Sequence, residues 1–255
     1  MKPNLCQRMT HLLRHSAYAI GRRQVKSKGA HSHNLMNTVI FDLDGTLVDN
    51  FVAIAESIHH AQRQLNLPES PFETVKSAVG GGYKLTLLRL FGSELAKKAE
   101  PYFVEYFNEN RLHGIQVLPG AQELIETLKA RGKQLAVLTN KNGEAARSIL
   151  RHLNLDHLFD AILGVEDTPY RKPDPAFTHS LLKQLCAVPE DCLFIGDSPF
   201  DFEAARNVSM PCSLVTTGSH TEEQLRKETT CRDIFPSLIE LGRTRLNCEP
   251  EYTAL

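Results

Sequence analysis

Two carboxylates one residue apart, Asp42 and Asp44, carry the strongest chemical signal in the chain. Charges held that close repel unless a cation or a shared proton relieves them. The pair follows Thr38, Val39, Ile40 and Phe41, four apolar or β-branched residues that read as a short buried strand. Gly45 comes directly after and lets the chain leave the strand sharply. In an open parallel sheet, ligands bind in the crevice beyond the carboxyl ends of the strands, and both aspartates would project there. Taken alone, D-x-D also describes two solvated loop residues.

Further polar residues end the strands expected later in the chain. One strand runs into Thr139, Asn140 and Lys141, and a loop after the next carries Arg171, Lys172, Pro173 and Asp174. A third runs into Gly196, Asp197 and Ser198, with Asp201 four residues beyond Asp197. Singly, Thr139 or Asp197 can cap a helix and Lys172 can be a solvated charge. Four polar strand ends, the D-x-D-G-T string and the three that follow it, point instead to a shared crevice.

The elements that would position them are two kinds of segment. Residues 51–113 read as almost wholly helical: Phe51, Ile54, Ala55 and Ile58 recur at helical spacing, as do Leu85, Leu88 and Phe91. Pro68, Pro71 and Pro101 are expected to divide that stretch. From Gly114 onward strand and helix alternate. Strands are expected at 135–139, 161–165, 193–195 and 213–215, and helices at 120–129, 144–153, 175–186, 202–207, 222–227 and 236–241. Such alternation implies right-handed crossovers and a mostly parallel sheet covered on both faces.

The 255 residues are 42% apolar and 23% charged, as in an ordinary globular protein. A net charge of −1 points to neither nucleic acid nor membrane, and no apolar run reaches the ~20 residues needed to cross a bilayer. The 6 cysteines have no metal-finger spacing, which fits a reducing compartment. Charge is unevenly spread: residues 1–36 hold 7 basic side chains and no acid, leaving 22 basic and 30 acidic residues for the rest. This leader is expected to lie outside the fold, as disordered chain or an organelle transit peptide; alternatively Met36 is a natural start.

The string F-D-L-D-G-T-L-V-D at 41–49, with Thr139 to Lys141, Lys172 to Pro175 and Gly196 to Ser198, resembles the four motifs of the haloacid-dehalogenase-like superfamily. The likeness runs from Asn37 to about Leu241 and is greatest to the phosphoglycolate-phosphatase branch, in which a helical cap follows the first motif. Gly80, Gly81 and Gly82 resemble that branch's glycine turn over the active site; without G-K-[ST] they are not a phosphate-binding P-loop.

The resemblance implies an α/β, Rossmann-like parallel-sheet core (37–50 and 115–255) with an inserted helical cap (51–114). It implies a Mg2+-dependent phosphatase acting on a small phosphorylated metabolite, 2-phosphoglycolate first. Asp42 would be the nucleophile, giving an aspartyl-phosphate. Asp44 would protonate the leaving oxygen and then activate water. The Asp42 and Asp197 carboxylates and the Asp44 backbone carbonyl would hold the metal, with Asp201 behind them. Lys172, Thr139 and the backbone N–H groups of Leu43, Asp44 and Asn140 would bind the phosphoryl group. On the cap, the three glycines and Lys84 or Arg89 would meet the rest of the substrate.

Haloacid dehalogenases and phosphonoacetaldehyde hydrolases lack an aspartate at the Asp44 position. A β-phosphoglucomutase-like mutase shares D-x-D and the cap but differs around Thr139, Asn140 and Lys141; a receiver-type phosphoacceptor is the non-enzymatic alternative. No nucleic-acid or membrane partner is expected. The chain would be a monomer or homodimer, cytoplasmic unless the leader directs import.

Overall fold

The computed structural model describes residues 36–248; apart from Met36, the basic leader lies outside the described residues. A six-stranded parallel sheet organises the chain, formed by β1 (Thr38–Phe41), β4 (Gln134–Asn142), β5 (Ala161–Val165), β6 (Cys192–Gly196), β7 (Cys212–Val215) and β8 (Ile234–Phe235). The spatial order is β5-β4-β1-β6-β7-β8. β1 is therefore central, and the chain moves outward on one side of it before returning to build the other. The order reverses between β1 and β6, which is where an open sheet leaves a crevice.

β1 is central because it is apolar on both faces. Val39 and Phe41 pack on one side with Leu135, Val137, Leu193 and Ile195, under α4 (Ala121–Ala130), α5 (Gly143–His152) and α9 (Leu238–Leu246). Ile40 faces the other side with Leu138, Phe177, Leu181 and Phe194, under α6 (Pro175–Leu185) and α7 (Pro199–Arg206). Each such side chain stabilises the fold by ~1.5–3 kcal/mol when fully buried. α8 (Glu222–Glu228) covers β7 through Leu225.

Between β1 and β4 the chain leaves the sheet through a two-residue antiparallel ribbon, β2 (Val48–Asp49) with β3 (Gln116–Val117). Ribbon strands this short leave no sequence periodicity, and neither was expected. The segment they bracket is helical: α1 (Phe51–Gln64), α2 (Phe72–Ala78) and α3 (Tyr83–Asn110). Ile54, Ile58, Val75, Leu87, Phe91 and Phe103 give it an apolar cluster of its own.

Pro101 was expected to divide this block but lies inside α3; the interruption comes at Gly92, with φ 72° and ψ 172°. Only glycine enters that region without a Cβ penalty, whereas the carbonyl that Pro101 leaves without a donor belongs to Lys97, which is exposed to water. β8 was also missed, α9 continues to Leu246, and α7 begins at Pro199 rather than near Phe202. Proline at the first helical position and Ser198 before it make that early start favourable.

Candidate active site

Parallel register delivers the motif residues to one edge. Phe41 pairs with Val137 on one side and Ile195 on the other, and the Asp42 N–H donates to the Ile195 carbonyl at 2.9 Å. Asp42, Thr139 and Asp197 therefore leave three adjacent strands at the same end. After Asp42 the chain doubles back: the Leu43 carbonyl accepts N–H groups from Thr46, Leu47 and Val48. Gly45 makes the turn at φ +81°, and a Cβ there would meet Gly218 Cα at 2.7 Å and Asp197 Oδ2 at 2.9 Å.

Lys172 joins the acids. Its side chain is 2% exposed, with Nζ 2.8 Å from Asp42 Oδ1 and 2.6 Å from Asp201 Oδ1. The other Asp201 oxygen accepts from the backbone N–H groups of Asp197 and Ser198 and from Ser198 Oγ, at 3.2, 3.0 and 2.6 Å. Both Asp201 oxygens are thus committed to orienting neighbours. Asp197 Oδ1 accepts from Thr46 Oγ1 at 3.3 Å and Oδ2 from Ser219 N–H at 3.1 Å.

Burial dominates the electrostatics. It raises the Asp42 pKa to about 6, with Lys172 opposing and Asp201 reinforcing the rise. Asp197 is pushed well above its ordinary value by burial, then by the charges of Asp201 and Asp42. For Lys172 burial works downward, but Asp201 and Asp42 outweigh it and hold the ammonium above the ordinary lysine value.

Three carboxylates face one ammonium, an imbalance that a divalent cation would relieve. Ligand atoms of Asp42, Asp197 and Asp201 lie within 4.8 Å of one another. Although Lys172 Nζ is close to the buried Asp42 Oδ1, it is not aligned as a hydrogen-bond donor to it. An all-oxygen donor set with unused capacity on Asp42 and Asp197 suits a hard cation such as Mg2+.

Above the cluster lies a cavity of about 480 Å³, walled on the sheet side by Asp42, Asp44, Thr139 and Lys172 and on the helical side by Tyr83, Phe103 and Phe107. Gly80, Gly81 and Gly82 line it, all at positive φ; a Cβ on Gly81 would meet Phe200 and Leu85 at 2.7 Å. Asp44 faces the cavity, accepting from Asn50 Nδ2 at 3.3 Å and from Lys141 Nζ at 3.1 and 2.8 Å.

The structure brings together Asp42, Asp44, Thr139, Asn140, Lys172, Asp197 and the three glycines at the cavity, with Asp201 directly beneath. The Leu43 side chain turns into the core. Lys84 does not meet the cavity as expected: it pairs with Glu100 at 3.1 Å, its side chain 59% exposed, because it lies with Leu88 on the face of α3 turned to solvent, opposite Thr86 and Leu87. Arg89 likewise turns back, donating to the Ala78 carbonyl at 3.0 Å.

Sequence reasoning assigned no task to Thr46, Lys141, Ser198, Gly218 or Ser219. Thr46, Lys141 and Ser198 stand inside the quoted motifs. Gly218 and Ser219 follow β7, and extending the strand-end rule to that strand would have found them.

Residues 39–215 match the haloacid dehalogenase-like hydrolase family. A phosphoglycolate phosphatase of Haemophilus influenzae is 35% identical over 69% of this chain and 82% of its own length. One from Aquifex aeolicus is 31% identical over 72% and 86%. The crystal structure of a predicted phosphoglycolate phosphatase from Haemophilus somnus superposes with TM-score 0.74 at 30% identity, covering 82% of this chain and 97% of that one. A predicted phosphatase from Clostridium acetobutylicum gives 0.77 at 27% identity, covering 84% and 100%. With the parallel sheet and the acidic cluster at its switch point, these likenesses establish that the chain belongs to the haloacid dehalogenase-like hydrolase family, in its phosphoglycolate phosphatase-like branch.

Proposed function

We propose that this phosphatase hydrolyses a small phosphorylated metabolite, 2-phosphoglycolate foremost, through an aspartyl-phosphate on Asp42. The observation that carries the reading is the Lys172 ammonium between Asp42 and Asp201 at the floor of a walled cavity, with Asp44 facing the same space. Lys172 favours the ionised, nucleophilic form of Asp42 against the burial that raises its pKa. In the first step an Asp42 oxygen bonds to phosphorus as the ester P–O bond breaks, and Asp44 gives its proton to the leaving oxygen. In the second, Asp44 takes a proton from water as that water attacks phosphorus, which frees Asp42 and inorganic phosphate.

Lys172, the Thr139 hydroxyl and the backbone N–H groups of Leu43, Asp44 and Asn140 act as the phosphoryl donors; one such donor is typically worth ~3–4 kcal/mol towards the transition state. Mg2+ bound by the Asp42 and Asp197 carboxylates and the Asp44 backbone carbonyl would neutralise charge between the acids and a phosphate dianion. Asp201 holds Lys172 and the turn that carries Asp197. The helical block, 51–114, acts as a cap that keeps bulk water from the reaction. Among the described residues no helix is long and apolar enough to cross a membrane.

The test is phosphate release from 2-phosphoglycolate, β-glucose 1-phosphate, other sugar phosphates and nucleoside monophosphates, with and without Mg2+, beside Asp42→Asn. Mg2+-dependent release favouring 2-phosphoglycolate and abolished by Asp42→Asn is expected. Conversion of glucose 1-phosphate to its 6-phosphate isomer without release would replace the reading with a mutase.

A further inference from the structure

The cations around the cavity are not equally available to a substrate. Lys172 is committed to Asp42 and Asp201, and Lys84 and Arg89 point elsewhere. Lys141 and Arg111 line the cavity. Arg111 ends α3 and donates to Ser148 Oγ at 3.3 Å and to the Asn108 carbonyl at 3.4 Å. Lys141 is more enclosed: its side chain is 7% exposed, its Nζ reaches both Asp44 oxygens, and it sits 4.9 Å from the centre of the Phe107 ring. It occupies the part of β4 where pairing with β5 shifts register, between Thr139 and Asn142, and such irregularities re-aim side chains into a site.

We propose that Lys141 selects a carboxylate on the leaving group, so that the site prefers α-phosphooxy acids to phosphate esters of the same size without one. The inference rests on Asp44 being the residue that serves the leaving oxygen. In an α-phosphooxy acid the carboxylate is bonded to the carbon that bears this oxygen. A cation in contact with Asp44 is therefore next to the carboxylate as well. An ammonium has three N–H donors; two reach Asp44 and one remains for the substrate. The Phe107 face on the helical side and the low exposure keep water from competing, which strengthens a charge-assisted hydrogen bond.

The experiment compares kcat and KM for 2-phosphoglycolate and 2-hydroxyethyl phosphate, which replaces the carboxylate by a hydroxymethyl group, in wild type, Lys141→Met, Lys141→Arg and Arg111→Gln. Lys141→Met is expected to lower kcat/KM for 2-phosphoglycolate by ~100-fold, mostly through KM, as suits one charge-assisted contact. The loss on 2-hydroxyethyl phosphate is expected to be much smaller, and Lys141→Arg to recover part of the preference. Calorimetric binding of both esters to Asp42→Asn, with and without Lys141→Met, reads the same selection where turnover is too slow to measure. Equal losses on the two esters, or a carboxylate-selective loss in Arg111→Gln instead, would overturn the proposal. Wild type cleaving both esters with the same kcat/KM would also overturn it while leaving the phosphatase reading intact; cleavage of no phosphate ester would overturn both.

Discussion

Asn140 and Lys172, 32 residues apart in the chain, exchange two hydrogen bonds: the Lys172 N–H donates to Asn140 Oδ1 at 2.8 Å, and Asn140 Nδ2 donates to the Lys172 carbonyl at 3.1 Å. A side-chain amide at the end of β4 thereby imitates a strand partner for the loop that carries the buried ammonium. The loop held by this clamp carries the ammonium that lies 2.8 Å from Asp42 Oδ1.

Replacing Asn140 by Ala removes both bonds and leaves two buried backbone groups of Lys172 unpaired. Urea unfolding should register a loss of about 2 kcal/mol. A small misplacement of Lys172 should lower kcat by ~10–100-fold. Unchanged kcat with a large stability loss would mean that the clamp serves the fold alone.

Lys172→Met leaves Asp42, Asp197 and Asp201 without their ammonium. Breaking a buried ion pair from one side typically costs about 3–5 kcal/mol. The cost should be largest at pH 7.5 and smaller at pH 5, where protonation of Asp42 and Asp197, both raised by burial, relieves the repulsion. A destabilisation that is the same at both pH values would contradict this origin.

In metal-free protein, stability from the acid cluster should fall as pH rises. The folded Asp42 pKa of about 6 stands above its ordinary value of 3.8, so between these values the native state binds more protons than the unfolded chain. The contribution is full below the unfolded value and lost as pH rises through the folded one. Asp197 acts in the same sense. Partly buried His220 acts oppositely, its pKa lowered chiefly by desolvation, so the clean comparison is wild type against Asp42→Asn. The stability of Asp42→Asn relative to wild type should improve by on the order of 3 kcal/mol between pH 4 and pH 7.5. Mg2+ should raise the wild-type Tm at pH 7.5 far more than at pH 4.

Gly218→Ala tests the shell around Asp197. A Cβ on Gly218 would overlap the Asp197 carboxylate that Ser219 N–H and Thr46 Oγ1 hold in line. Disturbing such outer contacts typically weakens metal affinity ~10–100-fold. Calorimetric titration with Mg2+ should show that loss beside a modest change in Tm; unaltered affinity would remove Asp197 from the metal site.

Much of this molecule is local and could be read directly. Thr38–Phe41 is a strand because four apolar or β-branched residues precede a glycine turn, and Pro175 opens a helix where its missing N–H is not needed. Alternation of strand and helix implied the parallel sheet, and parallel strands deliver their C-terminal residues to one edge, so Asp42, Thr139 and Asp197 could be grouped before any contact was known.

The tertiary structure decided which of the remaining polar residues meet. Strand order put Asn140 against the Lys172 loop and Gly218 against Asp197, partners separated by tens of residues. The rotation of α3 sent Lys84 to solvent, while an irregular stretch of β4 brought Lys141 to Asp44. Sequence patterns report periodicity within an element, and they carry no record of how one element is turned against another. That is why Asp42, Asp44, Lys172 and Asp197 could be grouped from the chain, while Lys84, Arg89, Arg111 and Lys141 became distinguishable only when the helices had packed over the sheet.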